Sequence, residues 1–125
     1  FQSKKKEKTM TNNISEYINK VKENPESIPF ADTIAVIESN YNFTPTAFQN
    51  GKLQNKADEN NGSCKIFSFA KTNQLSKEVT LALFGKFYFE DVLQNPEGND
   101  HQNIRNFMVF GWDGIVFDGN ALELK

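Results

Sequence analysis

The chain has 125 residues, with 14 Lys and Arg against 16 Asp and Glu for a net charge of −2 at pH 7. That length fits one domain with room for a core that needs no covalent staples. It holds no apolar run near the roughly 20 residues of a membrane-spanning helix, and its one Cys and one His exclude an internal disulfide and a Cys/His zinc cage.

Phe1-Gln2-Ser3 reads as the remnant of a cleavable tag, and Lys4, Lys5, Lys6 and Lys8 follow as a basic run. Residues 1–10 are therefore expected to be a tag remnant and a disordered basic tail, with 11–125 as the single domain. Without residues 1–9 the body keeps 10 basic against 15 acidic residues, a net −5. That balance argues against nucleic acid as a partner, because a phosphate backbone asks for a basic face.

Residues 11–24 predict a first helix. Ile14, Tyr17, Ile18 and Val21 form one apolar stripe, and Asn24-Pro25 stops it. A second helix starts near Pro29, with Phe30, Ile34, Ile37 and Tyr41 on one face, so the two form a packed hairpin. The period then shortens. Phe43 to Phe48 is rich in β-branched and aromatic residues, and the Asn50-Gly51 turn dipeptide predicts a β-hairpin over about 46–56. A polar loop over 57–62 leads to a short helix over 64–72 with Ser63 as its cap and Cys64 and Phe67 inward.

Ser76 caps the next helix, expected over about 77–94. Val79, Leu81, Leu83, Phe84, Phe87, Tyr88, Phe89, Val92 and Leu93 make it apolar nearly all round, the pattern of a central buried element. Gly85 in its middle predicts a close helix crossing. Asp100 or Asn99 caps a last helix to about 110, with Ile104, Phe107 and Met108 facing the core. Gly114 to Phe117, the Asp118-Gly119 turn and Ala121 to Leu124 predict a second hairpin. The expected fold is α+β, with four to five helices packed around the 77–94 helix and a small antiparallel sheet from the two hairpins.

Five stretches together resemble the HopJ type III effector family. They are Tyr41-Asn42-Phe43-Thr44-Pro45-Thr46-Ala47-Phe48 with Asn50-Gly51, Asn60-Asn61-Gly62-Ser63-Cys64-Lys65-Ile66-Phe67, Asp91-Val92-Leu93, Asp100-His101-Gln102-Asn103-Ile104-Arg105-Asn106-Phe107-Met108, and Gly111-Trp112 with Gly114-Ile115. The resemblance covers roughly residues 11–125. It implies a bacterial protein, cytoplasmic in the producing cell and delivered into a host cell where it acts as a true type III effector. It supplies no catalytic residues.

Candidate chemistry concentrates in two polar segments. One holds Asn60, Asn61, Ser63, Cys64 and Lys65, and the other holds His101, Gln102, Asn103 and Arg105, with the only His and the only Arg of the chain. Two helix N-termini, at Ser63 and Asp100, would present free N–H groups with Lys65, Arg105 and the amides around a small polar pocket. The expected function is a non-enzymatic module that binds a small polar ligand or a protein through that pocket. The alternative is a thiol enzyme, with Cys64 activated at a helix N-terminus, His101 as its base, and Asn103, Asp100 or Asp91 orienting the ring. The competing reading of Cys64 is a core residue, since Cys is among the most buried types. Asp91, Asp100 and His101 match no known ligand spacing, so neither a metal nor a cofactor is expected. Trp112 is either part of an exposed protein-binding patch or a lid on the core.

Overall fold

A computed structural model describes the backbone of residues 2–125 and the side chains of residues 13–125. The expected tag remnant and tail over residues 1–10 fall outside the residues whose side chains are described. The class is α+β, as expected.

Helix α1 (Gln2–Glu23) ends at Asn24-Pro25, and a 3-10 turn (Pro25–Ser27) leads into α2 (Phe30–Asn40). Ile14, Tyr17 and Val21 are buried, so the predicted stripe is the buried face of α1. Tyr17 and Thr33 hydroxyls hydrogen-bond at 2.6 Å in the interior and tie α1 to α2. Such a pair satisfies two polar groups whose burial would otherwise cost free energy.

Strand β1 (Tyr41–Phe43) follows α2 directly, and β2 (Phe48–Asn50) and β3 (Leu53–Asn55) form the predicted hairpin about Gly51. Helix α3 (Asn61–Thr72) is the most buried element. Cys64, Ile66, Phe67, Phe69 and Ala70 are all fully enclosed. The Phe67 ring sits 4.9 Å from Phe107, 5.4 Å from Phe84 and 6.0 Å from Phe48. The core is therefore an aromatic cluster centred on α3. This corrects the expected central helix over 77–94.

That segment is divided. Ser76 does cap α4, its hydroxyl accepting from Val79 N–H, but α4 (Lys77–Ala82) stops after six residues. Gly85 adopts φ +62, and the chain resumes as a π-helical segment (Phe87–Val92). A Cβ at Gly85 would stand 2.6 Å from the Ile28 carbonyl oxygen and 2.8 Å from the Phe30 nitrogen. The expected close approach at Gly85 is real, but it is to the backbone ahead of α2, and it breaks the helix. The π-helical half faces solvent on one side, with Phe87 and Leu93 exposed.

Helix α5 (Gln102–Phe110) carries Ile104 and Phe107 into the core. A 3-10 turn (Gly111–Gly114) then feeds β4 (Ile115–Phe117) and β5 (Leu122–Leu124). These two strands form where predicted but do not pair with each other. β4 pairs antiparallel with β2, placing Phe48 opposite Phe117, and β5 pairs antiparallel with β1, placing Phe43 opposite Leu122. Both ladders share one register. Between them Thr44 N–H donates to the Ala121 carbonyl (2.8 Å) and Asp118 N–H to the Ala47 carbonyl (3.0 Å). Residues 41–50 and 115–124 thus form one long antiparallel pair, thinned at Pro45, which has no N–H to give. Asp118-Gly119 lies within that pair, not at a turn. The long pair wins because it buries Tyr41, Phe48, Ile115 and Leu122 together.

Candidate functional site

The N-termini of α3 and α5 open onto the same cleft, of about 430 Å³. The residue before each helix is left-handed: Asn60 at φ 54, ψ 48, and His101 at φ 51, ψ 50. Asn tolerates this region better than most residues, and a β-carbon there is strained enough to need support from its surroundings. No side chain caps either helix. The first helical bonds run from Cys64 N–H to the Asn60 carbonyl (3.0 Å) and from Ile104 N–H to the His101 carbonyl (3.0 Å). The N–H groups of Asn61, Gly62 and Ser63, and of Gln102 and Asn103, precede these bonds. They lie in the positive first turn of each helix. Ser63 is therefore not the cap of α3, and neither Asn99 nor Asp100 caps α5. The left-handed residues take those places because they swing the chain sharply into each helix.

An asparagine network locks the two helix ends together. Asn103 Nδ2 donates to Asn55 Oδ1 (2.9 Å) and Asn55 Nδ2 donates back to Asn103 Oδ1 (3.1 Å). Asn60 Nδ2 also donates to Asn55 Oδ1 (2.7 Å), and Asn50 Nδ2 donates to the Asn103 carbonyl (2.7 Å) and to Asn103 Oδ1 (3.0 Å). Asn50, Asn55 and Asn103 are buried. In an interior of low dielectric, such a network fixes geometry because each amide left unpaired would be costly. It holds the β2–β3 hairpin, the start of α3 and the start of α5 as one unit.

Of the sequence candidates, Asn60, Ser63, His101, Gln102 and Asn103 line the cleft, beside apolar walls from Phe30, Leu53, Phe84, Phe87 and Ile104. Asn61, Lys65 and Arg105 do not. Asn61 Nδ2 donates to Asp58 Oδ1 (3.3 Å). Lys65 pairs with Glu38 at 2.9 Å and lies over the Phe43 ring. Arg105 donates to Asp100 Oδ1 and to the Asp100 carbonyl, both at 2.6 Å. Its guanidinium holds the Asp100 carboxyl below the usual carboxylate range, chiefly through that hydrogen bond.

His101 is oriented from two sides. Its Nε2 lies 3.0 Å from Asp91 Oδ2, and its ring packs against Phe87 with centroids 5.1 Å apart. Asp100 Oδ2 is farther, at 3.9 Å. Asp91 is thus the ring's orienting partner among the acids considered. Among the described residues no group of three His, Cys, Asp or Glu side chains is arranged to hold a metal ion.

Cys64 faces the other way, into the core. It is 0 % exposed, and its thiol donates to the Thr46 carbonyl at 3.4 Å. Burial pushes its pKa up, which outweighs the lowering by Thr46, Ser68 and Lys65. A nucleophilic cysteine needs the opposite shift and an open approach. Trp112 is likewise turned inward, its Nε1–H donating to the Leu75 carbonyl (3.0 Å) and its ring edge-on to Phe107. It is a lid on the core.

The family model for the HopJ type III effector protein matches residues 14–122. The chain belongs to the HopJ family. The match spans both walls of the cleft, the asparagine network and the long strand pair as far as Leu122. A solved structure described as "unknown function protein VPA0580" is 60% identical, covers 89% of this chain and 92% of its own, and superposes with a TM-score of 0.87. No curated protein matches the chain. Among the described residues no helix is long and apolar enough to cross a membrane.

The sequence did not mark Asn50 and Asn55 as site residues. Asn50 stood in a turn dipeptide and Asn55 at a strand end, and both are common places for Asn. The one signal was the recurrence of Asn at 50, 55 and 60 around the hairpin.

Proposed function

We propose that this HopJ domain is a ligand-binding module whose site is the cleft between the N-termini of α3 and α5, and that it takes a small polar ligand rich in hydrogen-bond acceptors. One observation carries the reading. Two segments far apart in the chain each enter a helix through a left-handed residue, leave that helix end without a side-chain cap, and line one cleft. Helix first-turn N–H groups, the Ser63 hydroxyl and His101 then line one volume of the size that small ligands fill, while the Gln102 amide donates to the Asn99 carbonyl (2.7 Å). The Asp91–His101 pair adds a ring held in a fixed orientation at the cleft wall. We place this activity in the cytoplasm, of the producing cell or of a host reached by secretion.

The buried thiol gives the Cys64–His101 enzyme no support, since Cys64 is closed off and hydrogen-bonded elsewhere. Amide spectra of the full chain, titrated with a panel of small carboxylates, phosphates and amides, test the binding reading. A binder should shift the amides of residues 60–63 and 101–103 first. Ser63→Ala should weaken it by about fivefold to tenfold, the worth of one hydrogen bond, with little change in melting temperature. Shifts confined to other surfaces, or a Ser63→Ala variant that binds unchanged, would defeat the proposal.

A further inference from the structure

Asp91 Oδ2 lies 3.0 Å from His101 Nε2, and Asp100 Oδ2 lies 3.9 Å from the same nitrogen. Both carboxylates that approach the ring therefore meet it at one atom. An ionised carboxylate only accepts hydrogen bonds, so Nε2 carries the hydrogen. In the neutral ring Nδ1 is then a bare lone pair, able to accept and unable to donate. Among the described residues Nδ1 has no hydrogen-bond partner. Three buried side-chain polar atoms there also lack one, Asn50 Oδ1, Asn61 Oδ1 and Ser68 Oγ. Nδ1 is not one of these, so it keeps open surface, and His101 is a wall of the cleft. The Phe87 ring packed against the imidazole holds its plane.

The cleft is poor in positive side chains. Neither Lys nor Arg lines it, and the nearby Lys65 and Arg105 are committed to Glu38 and Asp100. An anion at His101 would face the Nδ1 lone pair and the Asp91 carboxylate with no cationic side chain beside it. We infer that the cleft's ligand is uncharged and donates a hydrogen bond to His101 Nδ1, as the N–H of a primary carboxamide does. This rests on the cleft being the binding site. It adds one donor to a ligand whose other polar atoms accept. In a carboxamide, the carbonyl of the same group supplies the acceptor for the Ser63 hydroxyl or the helix-end N–H groups. Phe30, Leu53 and Phe84 give the rest of the molecule an apolar seat.

The test uses three molecules of nearly one shape: benzamide, acetophenone and benzoate. Acetophenone keeps the carbonyl and loses the donor, and benzoate replaces the donor by charge. Each is titrated into the full chain at about pH 8, above the usual imidazole range, by calorimetry and by the ring carbon shifts of the one histidine. Benzamide should bind and move the His101 ring. Acetophenone should bind about fivefold more weakly, for one lost hydrogen bond, and benzoate about tenfold more weakly or worse. His101→Gly, which suits the left-handed backbone, should erase the gap between benzamide and acetophenone. Nitrogen spectra of the unmutated chain read the tautomer directly, so the inference does not hang on that variant folding. Nε2 should appear protonated and Nδ1 bare, and Asp91→Ala should admit the other tautomer. Acetophenone or benzoate equalling benzamide would overturn the inference, as would a hydrogen on Nδ1. If all three leave His101 unmoved while phosphates shift residues 60–63 and 101–103, the inference falls and the cleft reading stands. If no molecule of any class shifts those residues, the cleft reading fails and takes this inference with it.

Discussion

At His101 a left-handed backbone, an Asp91 contact and a Phe87 ring face together decide where the imidazole points. No one of these is visible in the residue itself. Cys64 shows the same dependence with the opposite outcome. Its neighbours in the chain are polar, yet helical phase turns it inward and burial raises its pKa. The thiol form therefore persists to higher pH than in an exposed cysteine. Alkylation by iodoacetamide should be slow at neutral pH and accelerate only as pH climbs past the range of an ordinary thiol. A fast phase at pH 6–7 would restore the thiol-enzyme reading. Gly85 is the sharpest single-residue constraint. A methyl group there meets fixed backbone and a positive φ at once, so Gly85→Ala should cost about 2 kcal/mol or more in urea unfolding. A loss under about 0.5 kcal/mol would show that the junction yields easily.

Among the elements, α3 and α5 act as a pair because the asparagine network joins their first turns. Asn103→Ala removes one partner from both Asn50 and Asn55 in a buried setting, and should cost about 2–3 kcal/mol. Hydrogen exchange should quicken together at the amides of Cys64, Ile104 and Arg105, the first bonded groups of the two helices. Loosening at α5 alone would show that the network does not couple the ends. The sequence located both helices through their apolar periodicity, but not how they begin. Capping preferences pointed to Ser63 and Asp100, whereas tertiary contacts hold Asn60 and His101 in the left-handed region and dispense with a side-chain cap. The same competition split the segment over 77–94. Its apolar residues do enter the core in the α4 half, and Gly85 then trades helix continuity for contact with the backbone of Ile28 and Phe30.

At the scale of the molecule, the long pairing of residues 41–50 with 115–124 closes the fold, with the C-terminal strand covering the end of α2. Lys125 N–H donates to the Asn40 carbonyl (3.1 Å), and Ala121 and Leu122 are buried. Deleting residues 121–125 should therefore cost about 3 kcal/mol or more in lost burial and strand bonds, and lower the melting temperature by roughly ten degrees. A melting point within two degrees of the full chain would mean that the β1–β5 pair is dispensable. The sequence by itself determined the features that near neighbours dictate: where helices and strands lie, which faces are apolar, the α+β class, and the words that carry HopJ membership. The two polar segments were legible as candidates for the same reason, being dense local patterns. Only the tertiary structure decided which strands pair, where the aromatic core centres, that Lys65 and Arg105 turn to Glu38 and Asp100, and that Asn50 and Asn55 brace the cleft. Those outcomes rest on contacts such as Asn50 to Asn103, 53 residues apart, where the free energy of burial and buried hydrogen bonding outweighs local preference.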